Sequence, residues 1–286
     1  MFIDLKNVSF TYNLNMPFET EVLKSLNISI NKGEFVGIIG HTGCGKTTLL
    51  QLLNGLLEPT VGNVFVDGID IHKEKNKLRE IRKKIGLSFQ YPENQLFEET
   101  IFKEIAFGPK NLGLKGNNLI ENVKKAMKMV DLDYSNYKER SPFNLSGGEM
   151  RRVAIASILA IDPEVIILDE PTASLDPQTR NKLLNLIKDL FRCYNKTIVL
   201  VSHNMEVIAE LAQRIIVMEK GRIVLNDTPK NIFRNNVELL EEVGLAIPQI
   251  TSIVHKLRKM GKPIRTDILN IEEAKNEILK IARNNR

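Results

Sequence analysis

Gly40-His41-Thr42-Gly43-Cys44-Gly45-Lys46-Thr47 fits the pattern G-x-x-x-x-G-K-[ST] in full. Such a loop suits a polyphosphate. Its glycines let consecutive backbone N–H groups turn inward around phosphate oxygens, and the helix that follows offers its positive end. Lys46 supplies a mobile cation for the β- and γ-phosphates, and the Thr47 hydroxyl is placed to ligate Mg2+. A dinucleotide-type glycine turn is excluded, because no third glycine stands three residues after Gly45. The second candidate is the carboxylate pair Asp169-Glu170 behind the apolar run Val165-Ile166-Ile167-Leu168. Asp169 would hold Mg2+ through water, and Glu170, on the opposite face of the strand, is suited to polarise an attacking water. Asp-Glu after a strand could merely begin a turn, but beside a phosphate loop it reads as the acidic half of a nucleotide-hydrolysing site.

The loop needs a strand before it and a helix after it, and both are legible. Phe35-Val36-Gly37-Ile38-Ile39 runs apolar without alternation, as a strand buried on both faces of a mainly parallel sheet does, and a leucine-rich helix is expected over 48–57. Further strands are expected at 165–168, 197–201 and 214–218, with helices at 178–191 and 205–212 between them. Ahead of the loop, Val8, Phe10 and Tyr12, then Leu26, Ile28 and Ile30, alternate with polar residues as antiparallel strands with one wet face do. A second strand pair over 64–71 turns at Asp67-Gly68. Between about 98 and 160 the pattern becomes helical, at 99–107, 119–130 and 146–159. The sum is a nucleotide-binding α/β core with a helical insertion.

Composition narrows the setting. The chain has 286 residues, 43% hydrophobic and 26% charged, which fits a globular protein with a substantial core. No apolar run reaches the roughly 18 residues that span a bilayer, and Met1-Phe2-Ile3-Asp4-Leu5-Lys6 turns polar too early for a signal peptide. The two cysteines, Cys44 and Cys193, have no metal-ligand or redox spacing, so reduced thiols in the cytosol are expected. A net charge of +5 permits an anionic partner but selects none, and the basic stretches 73–84 and 256–262 mix both signs as solvated helix faces do.

Leu145-Ser146-Gly147-Gly148-Glu149 would start a helix by itself, with Ser146 as N-cap and Glu149 as its capping-box partner. Two bare glycines at a helix N-terminus also make an anion site. Taken with the phosphate loop and Asp169-Glu170, the sequence from residue 2 to about 233 resembles the ATP-binding subunit of ABC transporters. Gln90, after a strand at 85–89, matches the family's Q-loop, Ser174-Leu175-Asp176 its D-loop, and His203 its switch histidine. Tyr12 stands where the family stacks an aromatic ring on adenine. The resemblance implies an α/β P-loop NTPase of the ABC ATPase type: an ATPase domain over 1–235 with an antiparallel β subdomain and a helical insertion at about 92–160, then a small helical extension over 236–286. It implies ATP and Mg2+ sandwiched between two chains. Tyr12, the loop from Gly40 to Thr48 (His41, Thr42, Gly43, Cys44, Gly45, Lys46 and Thr47 included) and Gln90 would bind ATP. Thr47, Gln90 and Asp169 would reach the metal, Glu170 would act as base, and Lys46 and His203 would meet the γ-phosphate. Ser146, Gly147, Gly148 and Glu149 would contact ATP held by the partner, leaving a lone chain nearly inactive.

Gln90-Tyr91-Pro92-Glu93-Asn94-Gln95-Leu96-Phe97-Glu98-Glu99-Thr100 is more discriminating, and looks like the energy-coupling factor (ECF) group that powers uptake of vitamins and of cobalt or nickel ions. Met16-Pro17-Phe18-Glu19, Gly40-His41-Thr42-Gly43, the segment 107–114 and the C-terminal helices resemble the second of the two ECF ATPase paralogues. The implied assembly is peripheral, on the cytoplasmic face of the cell membrane. It pairs this chain with the first paralogue, a homodimer remaining open, on an integral membrane scaffold subunit docked at the Q-loop and helical insertion. A separate membrane subunit binds the transported substrate, and no nucleic acid is expected. Alternatives are another ABC importer or exporter, or an ABC ATPase outside transport. Against chromosome-type members, the 100 residues from Lys46 to Ser146 hold no sustained heptads. Cys44 stands where the family more often has serine, and a thiol beside phosphates at a helix N-terminus is expected to be reactive. Past residue 236, Ile247, Ile250, Val254, Leu257 and Met260 recur at helical spacing, with a second helix at 271–282. That seam either packs on its own domain or holds a dimer together.

Overall fold

The computed structural model describes residues 1–284. β1 (Ile3–Tyr12) and β2 (Thr20–Ile30) pair antiparallel, and β3 (Phe35–Ile39) leads through the phosphate loop into α1 (Lys46–Leu53). β4 (Val61–Val66), β5 (Ile69–Asp70), α2 (Leu78–Lys84) and β6 (Ile85–Ser88) follow. The helical segment holds α3 (Ile101–Asn111), α4 (Gly116–Met129), α5 (Tyr134–Tyr137) and α6 (Gly147–Leu159). β7 (Val165–Asp169), α7 (Pro177–Arg192), β8 (Thr197–Val201) and α8 (Met205–Leu211) resume the alternation. β9 (Arg214–Glu219) and β10 (Arg222–Asp227) form a hairpin, and α9 (Pro229–Asn235), α10 (Val237–Glu242), α11 (Gln249–Lys259) and α12 (Ile271–Asn284) end the chain.

Two sheets organise these elements. The smaller is antiparallel, in the order β2-β1-β4-β5, and the larger runs β10-β9-β3-β8-β7-β6. Every pairing in the larger sheet is parallel except β10 with β9. β3, β7 and β8 are buried at every position, which is why they read as unbroken apolar runs. One core lies between the sheets around α1 and includes Ile3, Ile28, Ile38, Leu49 and Val64; the other lies on the far face of the large sheet, under α3, α4 and α6 to α10. Burying each such aliphatic side chain contributes about 1.5–3 kcal/mol. Parallel register then sets the function: Ile38 pairs with Val201, Val201 with Asp169, and Leu168 with Ser88. The C-terminal ends of β3, β8, β7 and β6 therefore stand side by side, where ligands of such sheets bind.

Several boundaries differ from the sequence reading. The helix expected over 48–57 stops at Leu53, because Asn54 caps it and Gly55 turns away with φ at 70°. β10 was not expected: it is an edge strand without a fully buried residue, so its pattern is weak. Met260 leaves the anticipated C-terminal seam, since α11 ends at Lys259, Gly261 turns left-handed, and Met260 is exposed. Val254 does pack inward, with Ile264, Ile268 and Ala274, and Thr251 donates to the Ile268 carbonyl at 2.9 Å. Leu240, Val243 and Leu245 belong instead to the main core, so packing sets apart α11 and α12 rather than everything after 235. No described helix is long and apolar enough to cross a membrane.

Candidate active site

The turn after β3 supplies the floor of the site. Gly40 has no room for a Cβ, which would lie 2.5 Å from the Met218 carbonyl oxygen and 2.6 Å from Cys44 Sγ. Gly45 has φ at 104° and would meet Leu23 Cδ2 at 2.6 Å, so two of the motif's glycines are demanded by backbone shape and by space. The Lys46 ammonium folds back on its own loop, donating to the carbonyls of Gly40 at 2.7 Å and His41 at 2.9 Å. Those are the bonds a phosphate would replace.

A cavity of about 300 Å3 opens above this loop. The loop contributes Thr42, Gly43, Gly45, Lys46, Thr47 and Thr48 to its walls. β7 delivers Asp169 and Glu170, β8 leads to His203, β6 to Gln90, and Tyr12 closes the rim. The structure thus brings distant stretches of sequence to one site. Thr47 Oγ1 donates to Asp169 Oδ2 at 2.8 Å, a hydroxyl and a carboxylate held together as hard oxygen donors. The Tyr12 hydroxyl lies 3.2 Å from Thr48 Oγ1, and its ring stands edge-on to Phe10.

Glu170 turns into the cavity through a left-handed backbone, with φ at 49°. A conformation of this kind costs a β-substituted residue about 1 kcal/mol or more. His203 Nε2 lies 3.2 Å from Glu170 Oε1, yet off the line of a hydrogen bond, so Oε1 is buried without a partner among the described residues. The His203 backbone N–H donates to the other oxygen, Oε2, at 3.3 Å. Burial pushes the Glu170 carboxyl above its ordinary range, against the opposing pull of His203, and burial raises Asp169 in the same way. A carboxylate short of donors and reluctant to stay charged is a proton acceptor in waiting.

Not every expected residue lines the cavity. Gly40, His41 and Cys44 do not, and the His41 ring turns to the Thr42 carbonyl at 2.7 Å. Cys44 Sγ is buried, and burial raises its thiol pKa, so the expected reactive thiol is corrected to a shielded one; the exposed cysteine is Cys193. Val22 lines the cavity and was missed, as one valine in an ordinary strand carries no signal. Ser146 and Gly147 lie exposed at the start of α6, away from the cavity, and Gly148 packs on Thr179 at the first turn of α7. Glu149 spends both carboxylate oxygens inside its own chain: Ser146 N–H and Oγ donate to one, at 3.0 and 2.7 Å, and the Tyr137 hydroxyl donates to the other at 2.9 Å. Ser174 (φ 60°), Leu175 and Asp176 precede α7, where Asp176 caps the helix by accepting from Gln178 and Thr179 N–H groups.

Residues 23–173 match the ABC transporter family model. The chain is 52% identical over 284 residues to the energy-coupling factor transporter ATP-binding protein EcfA2 of Clostridium tetani, covering 99% of this chain and 98% of that protein. The structure of cbiO1 from Clostridium perfringens, described as part of the ABC transporter complex cbiONQ, superimposes with a TM-score of 0.74 at 31% identity, covering 90% of this chain and 98% of the other. A dimeric ATP-binding cassette in a post-hydrolysis state, bound to ADP and Pi, gives 0.71 at 33% identity, covering 79% and 98%. The chain belongs to the ABC transporter family, among the energy-coupling factor ATP-binding proteins, and is an ATPase whose hydrolysis is coupled to transport.

Proposed function

We propose that the chain is the ATP-hydrolysing subunit of an ECF-type importer and works as one of two cassettes that close over two ATP molecules. One observation carries this reading: the site is split. The cavity at Lys46 gathers the phosphate loop, both carboxylates, Gln90 and His203, whereas Ser146, Gly147 and Gly148 stand at a helix end outside it. Two chains arranged so that each helix end faces the other's loop complete both sites, and the partner is a paralogous ATPase or a second copy.

In the closed site the loop N–H groups and the Lys46 ammonium, released from the Gly40 and His41 carbonyls, take the β- and γ-phosphates. Thr47, Asp169 and Gln90 are the oxygen donors that would hold Mg2+, which when bound offsets charge on the phosphate oxygens. Glu170 orients the attacking water and takes its proton as the water oxygen bonds to the γ-phosphorus and the bond to the β-bridging oxygen breaks. His203 stands beside Glu170, where it would meet the γ-phosphate. Tyr12 at the rim offers a ring face for adenine.

A second, apolar groove of about 270 Å3 lies among β6, α3, α6 and the turn Pro92–Gln95, and includes Leu87, Pro92, Leu96, Phe107 and Ile158. Phe97 beside it is exposed and stacks edge-on with Phe107, their centroids 4.9 Å apart. Exposed aromatic residues at a groove favour a helical partner. We read the groove as the dock for cytoplasmic helices of an integral membrane scaffold, placing the chain peripherally on the cytoplasmic face of the membrane. A separate membrane subunit would select the cargo, a vitamin or a cobalt or nickel ion. The test is to purify the tagged chain from native membranes in mild detergent and identify its companions by mass spectrometry. A related ATPase and a multi-helix membrane protein are expected. Recovery with DNA-maintenance or ribosomal proteins would overturn the importer reading and leave the ATP chemistry intact.

A further inference from the structure

One buried cation joins the two sites and belongs to neither. Arg151, in the second turn of α6, is among the largest fully buried side chains. Its Nε donates to Glu93 Oε2 at 3.0 Å and its Nη2 to Glu93 Oε1 at 2.6 Å, a forked pair. Its Nη1 donates to the carbonyls of Pro171 at 2.9 Å and Ala173 at 2.7 Å. Those carbonyls lie one and three residues past Glu170, in a turn closed by the Ala173 N–H on the Glu170 carbonyl at 3.1 Å. Glu93 sits at the other end of the link, in the turn Pro92–Gln95 that begins two residues after Gln90, and Pro92 and Gln95 line the apolar groove.

We infer that Arg151 is a positioning residue through which the Pro92–Gln95 turn, held by Glu93, sets the turn that aims Glu170 at the ATP cavity. A planar guanidinium spans a carboxylate and two carbonyls at fixed separations, which an ammonium on a flexible stem does not. Moving Glu93 drags or releases the Arg151 fork, and the fork holds the exit from the left-handed Glu170 backbone. Neither Glu93 nor Arg151 lines the ATP cavity, so the link acts on the geometry of hydrolysis and leaves ATP binding alone. The inference rests on Glu170 as the base and holds whatever occupies the groove.

The test measures steady-state ATPase activity, binding of trinitrophenyl-ATP and thermal melting for the full chain assembled with its partner ATPase. The variants are Glu93→Gln, Arg151→Lys, Arg151→Met, the exchange Glu93→Arg/Arg151→Glu, and Glu170→Gln as reference. A displacement of about 1 Å at a reacting group lowers rates on the order of a hundredfold. Glu93→Gln should therefore lower kcat about tenfold, and Arg151→Met about a hundredfold, with KM and trinitrophenyl-ATP affinity within about twofold of the parent. Arg151→Lys should fall between the parent and Arg151→Met. The exchange restores an ion pair but sets a carboxylate against the Pro171 and Ala173 carbonyls, so it should not restore kcat. Unchanged kcat in Glu93→Gln, or full recovery in the exchange, overturns the inference. Loss of kcat, affinity and melting temperature together also overturns it, by reducing Arg151 to a structural staple. If Glu170→Gln turns over normally the base assignment falls and takes the inference with it. If Glu170→Gln is dead while Glu93→Gln is normal, only the inference falls.

Discussion

Cys44, within the phosphate loop, and Glu170, beside it, are both buried, and their surroundings push them toward opposite uses. The Cys44 thiol is packed against Gly40 and raised in pKa by burial, which withholds the thiolate that alkylating reagents attack. With a disulfide reagent at about pH 7.5, below the ordinary thiol range, we expect one fast thiol in the native protein, lost in Cys193→Ser and indifferent to ATP. A second fast thiol that ATP protects would place Cys44 in reach of solvent and contradict its burial. Glu170 is likewise raised by burial, but its Oε1 has no partner among the described residues, and the residue lines the cavity above the phosphate loop. Glu170→Gln keeps the size and removes the carboxylate proposed to accept the proton. Turnover should drop by about two to four orders of magnitude while ATP affinity holds. A variant that hydrolyses ATP at the parental rate would mean that another group takes the proton.

The helix end at Ser146 shows how an element can be built twice over, for stability and for display. The capping box is closed by Ser146 and Glu149 and braced by Tyr137, so the exposed Gly147 N–H end is held in place by the chain's own side chains. Hydrogen bonds from the Ser146 side chain, the Ser146 backbone and the Tyr137 hydroxyl, in that order, hold the Glu149 carboxyl below its ordinary value of 4.5. A depressed folded pKa means that this contribution is complete above the ordinary carboxylate range and disappears as pH falls through the lower folded value. Glu149→Ala should cost about 1 kcal/mol near neutral pH, and the gap in melting temperature should close in acid. A gap independent of pH would exclude the carboxylate as its source. Most elements are legible in the sequence, and plainest are those whose burial is uniform, β3, β7 and β8, with the glycine loop between β3 and α1. Three features are hidden for physical reasons. β10 is a half-buried edge, so nothing in its order marks a strand. Leu56 and Leu57 extend the leucine pattern of α1 although Gly55 has already ended the helix. Arg151 carries no local sign of its burial, because nothing nearby in sequence reveals that Glu93, 58 positions away, closes over it.

For the whole molecule, the proposed pairing of two cassettes raises the question of what would keep the chains together once ATP has been hydrolysed and the shared sites open. Four of the five residues of the expected C-terminal seam are accounted for internally: Val254 faces Ile264, Ile268 and Ala274, Ile250 and Leu257 pack against that cluster, and Ile247 packs on the main core. Among the described residues, the large apolar side chains left outside are Ile253, Ile271, Ile278 and Leu279 on α11 and α12 and Met260 at the end of α11, between 40% and 77% exposed. A surface of this kind on a small appended unit fits a contact that persists without nucleotide. Covering a half-exposed aliphatic side chain contributes about 1 kcal/mol. Losing two weakens association about tenfold or more, since about 1.4 kcal/mol is a factor of ten. Ile278→Lys/Leu279→Lys should therefore raise the dissociation constant of the nucleotide-free pair by at least about tenfold in sedimentation equilibrium. Trinitrophenyl-ATP should bind as before, because neither residue lines the ATP cavity. Truncation after Pro248 should do the same, and is placed there because Leu245 is core and a cut at Gly244 would open the main domain. If both forms associate as tightly as the parent, α11 and α12 serve only their own packing, and the open dimer is held at the membrane scaffold instead.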